Sequence, residues 1–159
     1  MLAIYQTNQT VFDLKDLAKI LSENNYDNLK SKVSYYTKKW YIYRIRKGIY
    51  TKKEYDIYEL ACKIYTPAYI SFETVLSVEW VIYQSYQDIY VASYLSRTIQ
   101  IWTHTIHYRK LKDDILFDNN GIFRQNYYNI ADKNRAISDM KYIYPKFYFD
   151  NLPDGNTKT

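Results

Sequence analysis

The stretch KKWYIYRIRKGIYTKKEY, residues 38–55, alternates tyrosine and isoleucine with arginine and lysine on either side of Gly48. The β-branched and aromatic content of residues 41–45 favours a strand. Gly48 supplies the positive φ that a tight hairpin often requires, and residues 49–51 return the chain. The stretch therefore predicts a β-hairpin whose tyrosine and isoleucine side chains anchor it to a core.

The tip of this hairpin and one face of its first strand are basic. Arg46 and Lys47 lie at the predicted tip, and Arg44 lies one step down the strand on the same face as Arg46. Cations at such positions can contact DNA phosphates or enter the adjacent minor groove. A basic hairpin that serves only solubility is the competing interpretation. The position of the hairpin directly after a predicted helix-turn-helix favours DNA.

Two short amphipathic helices are predicted upstream. Asp13 is the expected N-cap of the first, whose apolar residues recur at helical spacing. The second is predicted over residues 27–39. Its predicted core face consists of Leu29, Val33, Tyr36 and Trp40. A helix-turn-helix followed at once by a hairpin is the order of elements in a winged helix.

The opposite face of the second helix carries polar residues framed by lysines. The predicted outer face consists of Asn28, Ser31, Ser34, Tyr35 and Lys38, and the flanking lysines are Lys30, Lys32 and Lys39. Small side chains let a helix approach base edges in the major groove, and lysines on either side can reach phosphates. An ordinary solvated helix face explains the same pattern, so the helix alone leaves both interpretations open.

Charge separates the chain into two parts. Residues 1–54 hold 11 Lys or Arg and 5 Asp or Glu, whereas residues 55–159 hold 11 basic and 12 acidic residues. A basic first third indicates a polyanionic partner. We therefore predict an N-terminal winged helix-turn-helix over residues 1–54 that binds double-stranded DNA, followed by a small α+β domain over residues 55–159.

Composition narrows the class of protein. At 47% hydrophobic residues the 159-residue chain can form a packed core, and no apolar run approaches the ~18 residues of a membrane span. No signal peptide is recognisable, and the single Cys62 cannot form an internal disulfide, so we expect a cytoplasmic protein without a membrane partner. The 21 tyrosines, with frequent isoleucine, asparagine and lysine, favour the codon usage of an AT-rich genome over the alternative of a special aromatic surface.

The first part of the second domain is predicted to form two helices joined by a rigid turn. A helix over residues 55–65 ends before Pro67. Ser71 is the predicted cap of the next helix, in whose first turn Glu73 complements the helix dipole. The motif that links them has an architectural explanation and a functional one, and the sequence leaves both open.

The remainder mixes strands with a last helix. Residues 89–108 alternate in twos, as strands do. Gly121 follows two asparagines and marks a turn. The run NRAISDMKYIY, residues 134–144, returns to helical spacing with Ala136, Ile137 and Met140 inward.

The chain carries no recognisable pattern of catalytic residues. His104 and His107 are three apart in a predicted strand, so they face opposite sides, and Cys62 has no second cysteine. Asp113 and Asp114 fall in a predicted turn, where solvation explains them better than acid–base chemistry. Glycine-rich phosphate loops and a nucleophile elbow are absent from the sequence. We expect no enzyme, no cofactor and no metal site.

Four motifs together resemble the AbiEi-type antitoxins, which are bacterial regulators of abortive-infection, type IV toxin–antitoxin systems. The motifs are VFDLKDLAKIL, YRIRKGIYT, YELACKIYTPAYISFETVLS and NIADKNRAISDMKYIYPKFYFDNL, and the resemblance covers about residues 10–152. In the third, the matching positions are Ala61, Tyr65, Pro67, Tyr69, Ile70, Ser71, Glu73 and Leu76. In the fourth, they are Ile130, Ala131, Arg135, Ala136, Ile137 and Asp139.

The resemblance implies a transcriptional regulator that binds the operator of its own operon through a winged helix. It also implies that the second domain opposes a cognate nucleotidyltransferase-like toxin in phage defence. A protein-binding antitoxin or adaptor that acts mainly through residues 55–159, with little specific DNA binding, is the alternative. A nucleotidyltransferase-like neighbouring gene would favour the antitoxin role, and a lone gene would favour a plain regulator.

Overall fold

The computed structural model describes residues 1–83 and 87–152, and the fold is of the α+β class that the sequence predicts. The chain divides into two compact units, Met1–Ile64 and Tyr65–Thr159. The sequence placed the boundary after residue 54 instead. The difference arises because the helix at residues 57–64 is bonded to the N-terminal strand, so it belongs to the first unit. Within the described part of the chain, no helix is long and apolar enough to cross a membrane.

The first unit contains four helices and a small antiparallel sheet. Its elements are α1 (Leu2–Gln6), β1 (Val11–Asp13), α2 (Leu14–Ile20), α3 (Tyr26–Lys38), β2 (Tyr43–Arg46), β3 (Ile49–Thr51) and α4 (Ile57–Ile64). The strand order is β1-β3-β2, so the predicted hairpin gains a third strand from the N-terminal segment. Neither α1 nor β1 was predicted from the sequence.

Capping residues determine where α2 and α3 begin. Asp13 is confirmed as the N-cap of α2, and it exchanges hydrogen bonds with Asp16: Asp16 N donates to Asp13 Oδ1 at 2.8 Å, and Asp13 N donates to Asp16 Oδ2 at 3.0 Å. Asn25 caps α3 by accepting from the backbone N–H groups of Asp27 and Asn28. Such caps satisfy donors that the first helical turn leaves without partners. The core beneath these helices consists of Ile4, Phe12, Leu17, Leu29, Val33 and Ile42.

Trp40 does not lie in this core. This residue is 72% exposed, and its backbone φ is +58°. The prediction of a core tryptophan is wrong because α3 ends at Lys38, two residues before Trp40, so helical spacing no longer applies there. The buried Ile42 reaches the core after the chain has turned.

A buried carboxylate ties α4 to the N-terminal strand. Glu59 is 4% exposed and accepts from Val11 N at 3.0 Å and from Thr10 Oγ1 at 2.6 Å. Thr10 N also donates to Glu59 Oε2 at 3.0 Å. These bonds hold α4 against β1, because a carboxylate that accepts several N–H and O–H donors is costly to remove once buried.

We predict that Glu59→Gln lowers the free energy of unfolding of the first unit by about 1–3 kcal/mol, since the new amide presents N–H groups to backbone N–H donors. Urea titration followed by circular dichroism measures this. Glu54→Gln at an exposed position is the matched control and should leave the midpoint unchanged. Equal midpoints for the two variants would contradict the role given to Glu59.

The second unit is built on a six-stranded mixed sheet. Its elements are β4 (Ala68–Ile70), α5 (Glu73–Val78), β5 (Ile89–Ser93), β6 (Arg97–Ile101), β7 (His104–Lys110), α6 (Asp113–Leu116), β8 (Ile122–Gln125), β9 (Tyr128–Ala131) and α7 (Lys133–Ile143). The strand order is β6-β7-β5-β4-β9-β8, in which β5 and β7 are parallel, as are β4 and β9. The strands predicted within residues 89–108 and the last helix are confirmed, and Ala136, Ile137 and Met140 are buried.

Residues 68–70 form a strand where the sequence predicted only a rigid turn. β4 pairs antiparallel with β5 and parallel with β9, for example through Ile70 and Ile130. The prediction of two helices joined by a turn is therefore wrong. A short strand buried on both faces shows no two-residue alternation, so periodicity does not reveal it.

Two predictions for polar residues of the second unit also need correction. Ser71 does not cap α5; its Oγ donates to Asp139 Oδ2 at 2.8 Å, and the N-cap position is Phe72, which makes no side-chain cap. Glu73 is confirmed in the first turn of α5. Asp113 and Asp114 lie in the first turn of the helix α6 rather than in a turn between elements.

Gly121 has φ +72°, as its predicted place in a turn requires. A Cβ atom at this position would lie 2.8 Å from Arg135 Cβ and 3.0 Å from Asp132 Oδ1. The glycine therefore permits both the left-handed backbone and the close approach of the turn to the start of α7.

Candidate nucleic-acid interface

All eleven residues predicted to face DNA are exposed in the first unit. Those on α3 are Asn28, Lys30, Ser31, Lys32, Ser34, Tyr35 and Lys38, with Lys39 as the C-cap, and those on the hairpin are Arg44, Arg46 and Lys47. The helix buries Leu29 and Val33, so the face opposite to the core is the one that the sequence assigned to DNA. Exposure alone does not distinguish a binding face from a solvated one, and the arrangement of the charges is more informative.

The side of α3 that faces the hairpin forms one wall of a groove, and the hairpin forms the other. The groove has a volume of about 780 Å³. Its lining comprises Leu14, Tyr26, Lys30, Val33, Ser34, Thr37, Lys38, Arg44, Lys47, Gly48 and Tyr50. Five of the eleven predicted residues are thereby brought together around one hollow. We call this surface the basic groove.

Four cations surround the basic groove: Lys30 and Lys38 on the helix, and Arg44 and Lys47 on the hairpin. Within residues 1–83 and 87–152, none of them forms an ion pair with a carboxylate. Lys30 Nζ lies 4.1 Å from the centroid of the Tyr26 ring, which holds the ammonium by a cation–π contact without neutralising it. The groove therefore presents a concentrated positive charge.

The hairpin positions its cations through its register. β2 and β3 pair Tyr43 with Thr51 and Arg44 with Tyr50, and the register then shifts before Arg46 pairs with Ile49. Gly48 has φ +80° and no atom within 4 Å of the place a Cβ would occupy. Because Arg46 pairs with Ile49, the turn consists of Lys47 and Gly48. Lys47 thereby lies at the rim of the groove.

The remaining predicted residues lie outside the groove lining, and some have partners. Lys32 Nζ and Glu23 Oε2 form an ion pair at 2.5 Å, and this hydrogen bond lowers the pKa of Glu23 below its usual range. Lys39 Nζ lies 6.0 Å from the centroid of the Tyr35 ring. The charge of Lys32 is thus partly compensated within the unit, in contrast to the four groove cations.

Sequence patterns missed several groove residues, chiefly Tyr26, Thr37 and Tyr50. The spacing of Tyr26 and Lys30, four apart near the start of a helix, is a signal for a ring–ammonium contact that could have identified the first of them. Tyr50 reaches the groove only because β3 is paired with β2.

Models of known protein families were compared with the chain. None matches. The curated proteins likewise include no match.

The third and fourth sequence motifs meet in the interior of the second unit. Asp139 is 1% exposed; its Oδ2 accepts from Tyr69 Oη at 2.9 Å and from Ser71 Oγ at 2.8 Å, and its Oδ1 accepts from Arg135 Nε at 2.9 Å. Arg135 Nη2 also donates to Tyr69 Oη at 2.8 Å. We call Tyr69, Ser71, Arg135 and Asp139 the buried polar network.

The surroundings of Tyr69 and Arg135 raise the pKa values of both side chains. Burial and the neighbouring Asp139 raise the pKa of Tyr69 well above its ordinary value. Burial alone would lower the pKa of Arg135, but Asp139 and the Tyr69 hydroxyl together raise it above its ordinary value. The arginine thus stays charged and the tyrosine stays neutral across the physiological range, and the contacts join β4 to α7. They favour the architectural explanation of the motif.

A second ion pair lies in the same unit. Arg109 binds Glu73 with both guanidinium nitrogens, Nη1 to Oε2 at 2.6 Å and Nη2 to Oε1 at 2.7 Å. The rings of Phe72, Tyr90 and Tyr144 surround the guanidinium at 5.0, 4.5 and 5.2 Å from its central carbon. This pair fastens the start of α5 to β7.

His107 lies between a carboxylate and a hydroxyl group. His107 Nε2 lies 2.9 Å from Asp88 Oδ2, and its Nδ1 lies 3.0 Å from Thr98 Oγ1. Across the described residues, no group of three or more histidine, cysteine, aspartate or glutamate side chains could hold a metal ion.

Proposed function

We propose that the first unit binds double-stranded DNA as a winged helix and that the protein is a transcriptional regulator of its own operon. The observation that carries this proposal is the basic groove, where Lys30, Lys38, Arg44 and Lys47 converge without carboxylate partners among the described residues. Isolated cations on a solvated helix face need no such convergence. A polyanion whose charges follow a regular path is the partner that this arrangement fits.

The groove suggests a division of labour among the predicted residues. Lys30, Lys38, Arg44 and Lys47 are suited to phosphates, because a sugar–phosphate strand can run between the helix and the hairpin. Ser31 and Tyr35 lie on α3 outside the groove lining and are suited to base edges in the major groove. The minor-groove role suggested by the sequence falls to Arg46 beside the tip of the hairpin.

The second unit is the proposed site of partner binding. The resemblance of its motifs to AbiEi-type antitoxins supports a role in neutralising a nucleotidyltransferase-like toxin in abortive infection, in the cytoplasm and without catalysis by this chain. The alternative function is a protein-binding antitoxin or adaptor that acts mainly through residues 55–159, with little specific DNA binding. The two functions differ in whether specific DNA binding exists at all.

DNA titrations test the main proposal. Fluorescence anisotropy with duplexes from the region upstream of the gene and with random duplexes, at several salt concentrations, should show tighter binding to an upstream site. The logarithm of the affinity should fall linearly with the logarithm of the salt concentration. Equal affinity for all duplexes would favour the alternative, and no binding at low salt would exclude the DNA-binding role.

Co-expression with the neighbouring gene product tests the partner. We expect the full chain to restore growth when that product is toxic and to be recovered with it in a pull-down. Failure to restore growth would remove the antitoxin role and leave the DNA-binding proposal intact.

A further inference from the structure

The three tryptophans of the chain share two unusual properties. Trp40, Trp80 and Trp102 have φ values of +58°, +56° and +53°. These residues are 72%, 71% and 78% exposed, respectively. A positive φ is a genuine outlier for a bulky residue, and tryptophan is highly buried on average. The same two exceptions at every tryptophan point to a common cause.

Trp40 and Trp80 occupy the same position in the same helix-ending motif. After α3, Trp40 N donates to Thr37 O at 3.1 Å and Tyr41 N donates to Tyr36 O at 2.9 Å. After α5, Trp80 N donates to Ser77 O at 3.3 Å and Val81 N donates to Leu76 O at 2.9 Å. These paired bonds define the Schellman motif, whose left-handed residue is usually glycine because a Cβ is disfavoured there.

Trp102 occupies the corresponding place in a hairpin. Ile101 pairs with His104 across β6 and β7, so Trp102 and Thr103 are the two residues of the turn. Trp102, the first of them, has the positive φ. In a two-residue hairpin turn of this kind the first central position is the one that glycine fills. All three tryptophans therefore occupy positions whose positive φ favours glycine.

Composition supports the same conclusion. The chain has 3 glycines in 159 residues, where the average usage of about 7% would give about 11. Positive φ occurs in a few per cent of non-glycine residues, so its occurrence at three tryptophans out of three by chance is on the order of 10⁻⁴. The other exceptions are of different kinds: Ser22 and Asn126 are small and polar, and Phe72 is fully buried.

We infer that positions 40, 80 and 102 are glycine in the protein as the cell makes it. The codon at each of these positions, translated as tryptophan in the sequence above, is decoded by the cell as glycine. The codon UGA is a stop signal in the standard genetic code, but it is read as tryptophan in some bacterial codes and as glycine in others. An AT-rich genome, which the amino-acid usage indicates, favours UGA over UGG. One reassigned codon then accounts for every tryptophan in the chain.

This inference changes how the surface is interpreted. Three exposed indoles would otherwise be taken as stacking platforms or as anchors for a protein partner, since aromatic residues are enriched at such sites. With glycine at these positions the two helices and the β6–β7 hairpin end in unstrained turns, and no aromatic docking function attaches to them. With glycine at position 40, the ring contact between residue 40 and Tyr43 at the end of α3 is absent.

The codons and the native protein test the inference directly. We expect UGA at all three positions of the gene, and peptides isolated from the source cells should have the mass that glycine gives at each. UGG at any of the three positions, or a peptide mass that corresponds to tryptophan, would overturn it.

A stability experiment tests the backbone argument separately. The chain with Trp40→Gly, Trp80→Gly and Trp102→Gly should melt above the tryptophan form by about 2–4 °C per site. The matched control replaces the same three residues with alanine, which removes the indoles but keeps a Cβ at each left-handed position. A glycine variant that melts no higher than the alanine variant would show that these are not glycine positions.

Discussion

Replacing Arg135 with alanine will lower the free energy of unfolding of the second unit by about 3–5 kcal/mol. The guanidinium supplies the only cationic donor to Asp139 among the described residues, and Asp139 is 1% exposed. Removing one partner of a buried ion pair leaves a charge that neither water nor another cation compensates. The hydroxyls of Tyr69 and Ser71 would remain, but they are neutral donors.

Arg135 also completes the turn before β8. It donates to the carbonyl oxygens of Asp118 and Asn120, each at 2.8 Å, and to that of Ile115 at 2.5 Å. These carbonyls belong to the end of α6 and the segment that leads to Gly121, so the alanine variant also loosens this turn. Arg135→Lys should recover little of the stability, because an ammonium cannot reproduce the planar fork that reaches five acceptors at once.

Urea unfolding followed by near- and far-ultraviolet circular dichroism measures the effect. Arg124→Ala is the control, since Arg124 is exposed and donates only to a nearby backbone carbonyl, and it should change stability by less than about 0.5 kcal/mol. The double variant Arg135→Met with Asp139→Leu should be more stable than Arg135→Ala alone, because no charge is left buried. A loss below about 1 kcal/mol in Arg135→Ala would contradict the importance given to the buried ion pair.

Local signals in the sequence were sufficient for much of the fold. Asp13 was predicted as an N-cap because short polar side chains satisfy the first N–H groups of a helix, and the structure confirms it. Gly48 and Gly121 were predicted in turns for the same kind of local reason, and both have positive φ. These features depend on a few neighbouring residues, which is why a linear pattern contains them.

Features that depend on distant residues could not be predicted in this way. Tyr69 and Asp139 are separated by 70 positions, so no spacing rule joins them. The Ser71 hydroxyl bonds to the same distant carboxylate, and the local expectation of an N-cap therefore failed. The prediction that Trp40 lies in the core was wrong for another reason. The helix α3 ends before this residue, and periodicity does not show where a helix ends.

The basic groove has the same dependence on tertiary structure. Lys30 and Lys38 were predicted from helical periodicity, and Arg44 and Lys47 from the hairpin pattern, but only the folded unit shows that they line one hollow. The sequence also could not distinguish Lys32, which pairs with Glu23, from the groove lysines. The structure therefore reduces eleven candidates to four cations that should act together.

Replacing these four cations, Lys30, Lys38, Arg44 and Lys47, with alanine will reduce the affinity for every duplex on the order of 10³-fold near 0.1 M salt. Each phosphate contact contributes about 0.9 to the slope of the logarithm of the affinity against the logarithm of the salt concentration, so the slope should flatten by about 3–4 units. Thermal melts should change little, because all four side chains are exposed.

A charge-matched control distinguishes this site from general attraction to a basic protein. The control replaces four exposed lysines of the second unit with alanine and so removes the same net charge; they are Lys110, Lys112, Lys141 and Lys146. It should change the salt slope by less than the contribution of one phosphate contact, which is about 0.9. If Ser31 or Tyr35 contacts a base, its replacement with alanine should weaken the free energy of binding to the operator by about 1–3 kcal/mol. The same replacement should change the affinity for random duplexes little. If the groove variant and the control lose equal affinity, the attraction is a property of total charge, and the groove is not the place where DNA binds.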